Sequence, residues 1–172
     1  MGKISNPRSV KLITGFIYQD ACIYLKAKTL LSKKFGEIDF ESESLAFIYT
    51  DYYQRELGKN LLRKFISFKK LVPPEKLPQI KTLSNKIETQ FACNKGRKIN
   101  IDPGYLDMAK LVLASTKDYY HRIYLNSGIY AEITLFYQGK TFRPWEWTYP
   151  DYQTPEYIRT FNQIRGVYAG QI

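Results

Sequence analysis

The sequence predicts an α+β fold in which strands and helices follow one another as β-α-β-β-α-β, with a hairpin and a last helix after them. Short apolar runs bounded by turn residues alternate with segments whose apolar residues recur every three or four positions. This order matches a split βαβ, or ferredoxin-like, unit, so we expect one sheet with helices on one face, extended by the C-terminal hairpin and helix. Its length suits a single globular domain spanning residues 1–172.

The first elements are a strand, a helix and an interrupted strand. Val10–Tyr18 is almost continuously apolar and predicts a buried strand. Asp20 is a candidate N-cap for a helix that ends at Gly36. Ile38–Tyr49 alternates imperfectly, which predicts one strand, or two that break near Glu43-Ser44, with the acidic side chains facing water.

The middle of the chain predicts a strand, a helix and a short strand. Leu61–Leu71 is the strand, and Pro73-Pro74 opens an amphipathic helix from Leu77 that closes around Asn94-Lys95-Gly96. A short strand over Lys98–Ile101 follows, and the next residues, Asp102-Pro103-Gly104, have the composition of a turn.

The last third contains one ambiguous segment and two clear ones. Met108–Ser115 fits a helix or a strand, with its apolar and β-branched residues slightly favouring a strand. Ile123–Leu125 and Ile129–Tyr137 flank Asn126-Ser127-Gly128, which predicts a hairpin. Thr154 and the proline after it predict the start of the last helix.

Composition favours a basic, aromatic surface. The formal charge is +10, and 15 Tyr and 10 Phe supply many flat rings. Cations and aromatic rings together suit a phosphorylated small molecule or a nucleic acid, although lysines that solvate a surface and tyrosines that line a core explain the same numbers.

Cysteine usage and hydropathy restrict the class of protein further. Cys22 and Cys93 lie in predicted helical segments without a C-x-x-C pattern, which predicts buried reduced thiols. Residues 1–9 lack the apolar stretch of a signal peptide, and no window has the length and hydrophobicity of a membrane helix. We therefore expect a cytoplasmic protein without a membrane partner.

Several nucleotide-binding and catalytic motifs are absent from the sequence. The Gly-Lys pairs at 2–3, 58–59 and 139–140 are not in a P-loop frame, and Gly15 stands alone where a dinucleotide fold requires a glycine-rich turn. No serine occupies a Gly-x-Ser-x-Gly elbow. The sequence therefore names no cofactor and no metal.

Ionisable and aromatic residues are concentrated between Asn100 and Asp151, at the ends of predicted strands. A lysine, an arginine and the single histidine close to one hairpin could bind an anionic group, and nearby carboxylates could act as general base or hold a divalent metal. The candidate catalytic residues are His121, Asp102 and Glu132, and the candidate ligand-binding residues are Lys117, Arg122, Asp51, Tyr52, Tyr130, Tyr149 and Asp151.

A structural interpretation explains the same residues. Asp102 would cap its own turn, Lys117 would pair with Asp118, and His121 would be a half-buried histidine. The aromatic stretch from Trp145 to Tyr152 could be a stacking wall for a base or sugar, or a loop folded over the core.

Eight short segments of the chain carry a resemblance to a known family: 40–43, 50–53, 65–68, 100–106, 116–118, 121–125, 128–132 and 147–152. Together they resemble a family of small prokaryotic proteins known as a domain of unknown function, numbered forty-four sixteen and sometimes labelled GTP-binding. The similarity spans nearly the whole chain and implies a compact single-domain protein, but the family supplies no established catalytic or binding residue.

These features leave three functional hypotheses. The first is a binding module for an anionic, phosphorylated ligand such as a nucleotide, a sugar phosphate or RNA. The second is an enzyme of the hydrolase or phosphoryl-transfer type that uses carboxylate and histidine chemistry, with or without a metal. The third is a protein-assembly subunit that presents its aromatic and basic surface to another protein.

Overall fold

A computed structural model describes residues 2–93 and 96–172, which form one antiparallel sheet with helices packed against it. Within these residues the strands are β1 Lys11–Tyr18, β2 Ile38–Glu41, β3 Leu45–Ala46, β4 Leu62–Phe68, β5 Ile99–Leu106, β6 Lys110–Ser115, β7 Ile123–Asn126, β8 Ile129–Gln138 and β9 Thr141–Pro144. The α-helices are α1 Ala21–Phe35, α2 Gln54–Leu57, α3 Leu77–Gln90 and α4 Pro155–Ala169, and 3-10 turns cover Pro74–Lys76 and Pro150–Gln153.

The nine strands form an antiparallel sheet in the order β2-β4-β1-β5-β6-β8-β7, with β3 added to β4 and β9 added to β8. The predicted mixture of strands and helices is therefore confirmed. The sheet is larger than a ferredoxin-like sheet, so the finer topological prediction is not established.

Helices cover both faces of the sheet, and all eight residues of β1 are consequently buried. Leu12 and Phe16 pack with residues of α1 and α3 on one face. Ile13, on the opposite face, packs with Phe161 and other residues of α4. The expectation of helices on one face describes α1 and α3, whereas α4 covers the other side.

Asp102-Pro103-Gly104 is not the predicted turn but lies inside β5. Gly104 is required because a Cβ there would lie 2.3 Å from the carbonyl oxygen of Val112 on β6. On the β6 side, β5 is paired only from Gly104 to Leu106, so the two strands separate at Pro103. Proline has no N–H to donate, and it is tolerated where the adjacent strand has diverged.

The other local predictions have mixed outcomes. Ile38–Tyr49, predicted as one strand or two, is broken into β2 and β3. Met108–Ser115, predicted as a helix or a strand, contains strand β6. The hairpin is confirmed with a two-residue loop, whose Ser127 and Gly128 both have positive φ, at 53° and 74°. The predicted stop of the second helix includes Asn94 and Lys95, which lie outside the described residues, and α3 itself ends at Gln90.

Two predictions about burial are wrong. Cys22 and Cys93 are exposed, because Cys22 lies on the solvent side of α1 and Cys93 follows the end of α3. Asp39 does not simply face water, since it pairs with the fully buried Lys11 and accepts a hydrogen bond from Ser67. Among the helices in residues 2–93 and 96–172, none has both the length and the apolar character needed to cross a bilayer.

Candidate functional site

A cleft of about 810 Å³ opens where β5 and β6 separate. Its walls come from α3, from β4 and β5, from the connection between β6 and β7, and from the segments around residues 49–53 and 149–152. A volume of this size is typical of small-molecule sites. Its ionisable and tyrosine lining residues are Tyr49, Tyr52, Tyr53, Arg63, Lys81, Glu88, Arg97, Asp102, Lys117, Tyr119, Arg122, Glu132, Tyr149, Asp151 and Tyr152.

Side chains of α3 hydrogen-bond the backbone of β5 where β6 no longer pairs with it. The Ile101 amide donates to Glu88 Oε1 at 2.5 Å, and Lys81 Nζ donates to the Ile101 carbonyl oxygen at 3.1 Å. The two backbone groups are thereby satisfied although β6 does not reach them. The separation of the strands is consequently stable and places two charged side chains at the base of the cleft.

Arg63 on β4 is the central buried cation of this site. Its side chain is 2% exposed, and its Nη2 donates to the Tyr152 hydroxyl at 2.6 Å. Its Nη1 lies 3.5 Å from Asp102 Oδ2, and its Nη2 lies 3.8 Å from Asp151 Oδ2. Burial acts to lower the pKa of Arg63, but the surrounding oxygens of Tyr152, Asp151 and Asp102 outweigh it and raise that pKa. Its Nε is buried and has no hydrogen-bond partner among the described residues.

Asp102 and Asp151 differ in their titration although both contact Arg63. Burial acts to raise the pKa of Asp102, but Lys81 and Arg63 outweigh it and hold that pKa below its ordinary value. Burial raises the pKa of Asp151, and Arg63 only partly opposes the rise. Asp102 also accepts from Asn100 Nδ2 at 2.6 Å. Asp102 is therefore the carboxylate of this pair that ionises more readily.

Arg97 closes the end of the cleft near α2. Its Nε and Nη2 donate to the two Glu56 carboxylate oxygens, each at 2.8 Å, in the bidentate geometry that suits a guanidinium. Its Nη1 donates to Glu88 Oε2 at 2.7 Å. The bonds from Arg97 are the largest cause of the lowered Glu56 pKa, whereas burial raises the pKa of Glu88.

Arg122 and Glu132 form a second ion pair at the hairpin end of the cleft. Arg122 Nε donates to Glu132 Oε2 at 2.9 Å, and both side chains are almost fully buried. Arg122 Nη1 donates to the Ser115 hydroxyl and to the Lys117 carbonyl oxygen, each at 2.9 Å, and its Nη2 donates to the Tyr149 hydroxyl. Four of its five N–H groups are thus used within the protein, which leaves Arg122 little capacity for bidentate ligand binding.

His121 lies behind this ion pair and not in the cleft. Its Nε2 is 3.2 Å from Glu132 Oε2, and its ring is stacked between Tyr119 and Trp147 at centroid distances of 5.9 and 5.8 Å. Its Nδ1 is buried, and no described residue hydrogen-bonds to it. This environment agrees with the structural interpretation of His121 as a half-buried histidine.

Lys117 differs from the other cations that line the cleft. Arg63, Lys81, Arg97 and Arg122 each have a carboxylate within 4.0 Å. Lys117 has no carboxylate partner among the described residues, and the predicted pair with Asp118 does not form. Its Nζ donates to the Tyr52 hydroxyl at 3.1 Å and lies 4.4 Å from the centre of that ring.

Exposed tyrosines surround the mouth of the cleft. Tyr49, Tyr52, Tyr119 and Tyr149 all line it and are all at least 40% exposed. Burial is the largest cause of the raised pKa of Tyr149, followed by the charge of Glu132, so this hydroxyl remains protonated at neutral pH. These rings offer flat apolar surfaces with hydroxyl edges.

The structure brings most of the predicted site residues together but not all of them. Asp51 is exposed and bonds Gln54, Tyr130 contacts Tyr124 in the hairpin, and His121 lies behind Glu132. Trp145 stacks on Trp147 at 5.1 Å, and neither lines the cleft. Those that do line it are Asp102, Glu132, Lys117, Arg122, Tyr52, Tyr149 and Asp151.

Four ionisable residues of the site were missed from the sequence. Arg63, Lys81, Glu88 and Arg97 lie in a strand, a helix and the connection after that helix, where charged side chains usually face solvent. β4 reads Leu-Arg-Lys-Phe-Ile-Ser-Phe, so Arg63 is followed by a second basic residue, Lys64, and nothing in the sequence marks Arg63 as the buried one of the two. Within residues 2–93 and 96–172, no cluster of three His, Cys, Asp or Glu side chains could hold a metal ion.

Fold and site together define an α+β protein with an ionic, tyrosine-rimmed cleft at a split in its sheet. The chain belongs to the family described as domain of unknown function DUF4416, whose model matches residues 8–168. No curated protein and no solved structure shows significant similarity to it.

Proposed function

We propose that the protein binds a phosphorylated small molecule in the cleft between β5 and β6. The observation that carries this proposal is Lys117, which stands at the mouth of the cleft without an ion-pair partner in the described chain. Its present partner, the Tyr52 hydroxyl, is neutral, and a phosphate oxygen makes a stronger, charge-assisted bond to an ammonium group.

The shape and the lining of the cleft favour a ligand that carries a ring. Tyr49, Tyr52 and Tyr149 line the cleft with exposed rings, and Tyr52 contacts Lys117. Aromatic faces stack on bases and on the apolar faces of sugars. A volume of about 810 Å³ accommodates a mononucleotide or a sugar phosphate. Longer polyanions such as RNA would contact the basic surface outside the cleft.

Binding is tested by thermal unfolding and calorimetry with AMP, GMP, GTP, glucose 6-phosphate, inorganic phosphate and a short RNA, each at low and moderate salt. A ligand that binds only the native state raises the midpoint of unfolding, and we expect this for at least one small phosphorylated compound at both salt concentrations. Lys117→Ala should weaken that affinity by about tenfold, because one charge-assisted bond is lost.

Lys70→Ala is the matched control, since Lys70 is exposed and lies outside the cleft. It removes the same charge and should leave the affinity unchanged. Equal losses in the two variants, or midpoint shifts that disappear with salt for every polyanion, would contradict the proposal, because both results describe a general effect of net charge.

A further inference from the structure

The cleft has an exposed lysine at one side and an accessible carboxylate at the other. At the mouth, Lys117 presents an ammonium group that bonds the Tyr52 hydroxyl and has no carboxylate partner among the described residues. At the base, Asp102 is the most exposed of the four carboxylates that line the cleft, with 24% of its side chain accessible. The other three are nearly inaccessible: Glu88 at 4%, Glu132 at 2% and Asp151 at 9%. A ligand that fills the cleft therefore meets Lys117 at one side and, at the other, Asp102 together with Arg97, whose side chain is 32% exposed and already bonded to Glu56 and Glu88.

The carboxylate of Asp102 retains capacity to accept hydrogen bonds. Its Oδ2 accepts from Asn100 at 2.6 Å and lies 3.5 Å from Arg63, whereas its Oδ1 has, within the described residues, one long contact, to Lys81 at 3.4 Å. An ionised carboxylate offers about four acceptor positions, so Oδ1 still has room for a ligand donor.

The neighbours of Asp102 restrict which donor can approach it. A phosphate oxygen cannot donate and is repelled by the carboxylate. A cationic amine would be repelled by Lys81 and Arg63, which flank the same carboxylate. The donor that fits is a neutral one such as a hydroxyl group. Asn85 on α3 also lines the cleft, and its side-chain amide makes no hydrogen bond within residues 2–93 and 96–172.

We infer that the ligand is a phosphorylated ribose, such as a nucleoside monophosphate, with its phosphate on Lys117 and its vicinal hydroxyl groups donating to Asp102. This inference rests on the proposed function and assigns Asp102 to ligand recognition. A carboxylate that accepts from sugar hydroxyls is a common means of selecting a ribose.

The test compares ribonucleotides with deoxyribonucleotides by calorimetry, using AMP with 2′-deoxy-AMP and GMP with 2′-deoxy-GMP. The deoxy compound should bind about tenfold more weakly, because Asp102 then loses a hydroxyl donor. In Asp102→Asn this ratio should fall, since the amide oxygen is a weaker acceptor for a hydroxyl group than an ionised carboxylate. In Lys117→Ala both affinities should fall while the ratio is retained.

The outcomes separate the inference from the proposed function. Equal binding of ribo- and deoxyribonucleotides that still depends on Lys117 would overturn the ribose assignment and leave the phosphate site standing. Absence of binding by every phosphorylated compound would overturn both. If Asp102→Asn fails to fold, as judged by circular dichroism, the ratio measured with the unmodified protein still decides the assignment.

Discussion

Two cations of the cleft show how burial decides the role of a residue. Arg63 is enclosed by Phe65, Tyr152 and the carboxylates of Asp102 and Asp151, so its charge stabilises the fold. Lys117 is exposed and has no carboxylate partner in the described chain, so its charge is available to a ligand. A planar guanidinium can stack on rings and bond several oxygens at once, which suits the buried position.

We predict that Arg63→Ala lowers the free energy of unfolding by about 3–5 kcal/mol, because removing one partner leaves buried carboxylates uncompensated. Urea denaturation at pH 7 measures the change. Arg159→Ala is the control, since Arg159 forms an exposed pair with Glu156 and should change stability by less than about 1 kcal/mol. If both variants lowered the free energy of unfolding by the same small amount, Arg63 would not contribute to stability more than an exposed arginine does.

The sequence predicted three of the four carboxylates that line the cleft in the described chain, and the two cations near the hairpin, because strand ends and turn residues are visible along the chain. It could not identify Arg63, Lys81 or Glu88, because their roles depend on pairing across distant elements. Lys81 and Glu88 lie seven positions apart on one face of α3. Charged residues on the solvent-exposed face of a helix have the same spacing, so the sequence does not show that these two are buried. Only the open edge of β5 shows why these two side chains point inward.

At the scale of elements, the divergence of β5 and β6 creates the cleft. Gly104 holds the two strands close at one end of their pairing, and Pro103 lies where they begin to separate. The sequence predicts a turn at Asp102-Pro103-Gly104, because a proline beside a glycine is typical of turns. In the fold, Gly104 instead allows β5 and β6 to approach closely, and Pro103 lies at the start of the edge of β5 that β6 leaves unpaired.

We predict that Gly104→Ala destabilises the protein by more than about 2 kcal/mol, because the new Cβ would meet the Val112 carbonyl oxygen at 2.3 Å and force the backbone to shift. Thermal unfolding checks this change. Gly166→Ala in α4 is the matched control, since a Cβ there meets no atom within 4 Å, and it should raise stability by up to about 1 kcal/mol. A Gly104→Ala protein as stable as the unmodified one would show that β5 and β6 do not require this approach.

At the scale of the whole molecule, α4 connects the two halves of the sheet. Phe161 and Ile164 pack in the same core cluster as Ile13 and Phe65 from the first half and Leu135 and Phe142 from the second. The two clusters on opposite faces share strand β1. We infer a single cooperative unit, as the length of the chain predicts.

We predict one unfolding transition for the whole chain. Both tryptophans, Trp145 and Trp147, lie in the second half, so their fluorescence reports on that half, whereas far-ultraviolet circular dichroism reports on all helices and strands. In urea the two signals should give the same midpoint. Midpoints that differ would show that the halves unfold separately.

The most direct test of a ligand site in the cleft is a titration of the isotope-labelled protein with AMP, followed by amide chemical shifts. We expect the changes to concentrate at Tyr52, Asn100–Asp102, 116–119 and Tyr149, which line the cleft or flank its lining residues. Exposed lysines of α1, a helix whose residues do not line the cleft, such as Lys26 and Lys33, should not respond. Changes spread over these lysines, or no changes at millimolar AMP, would contradict a ribonucleotide site between β5 and β6.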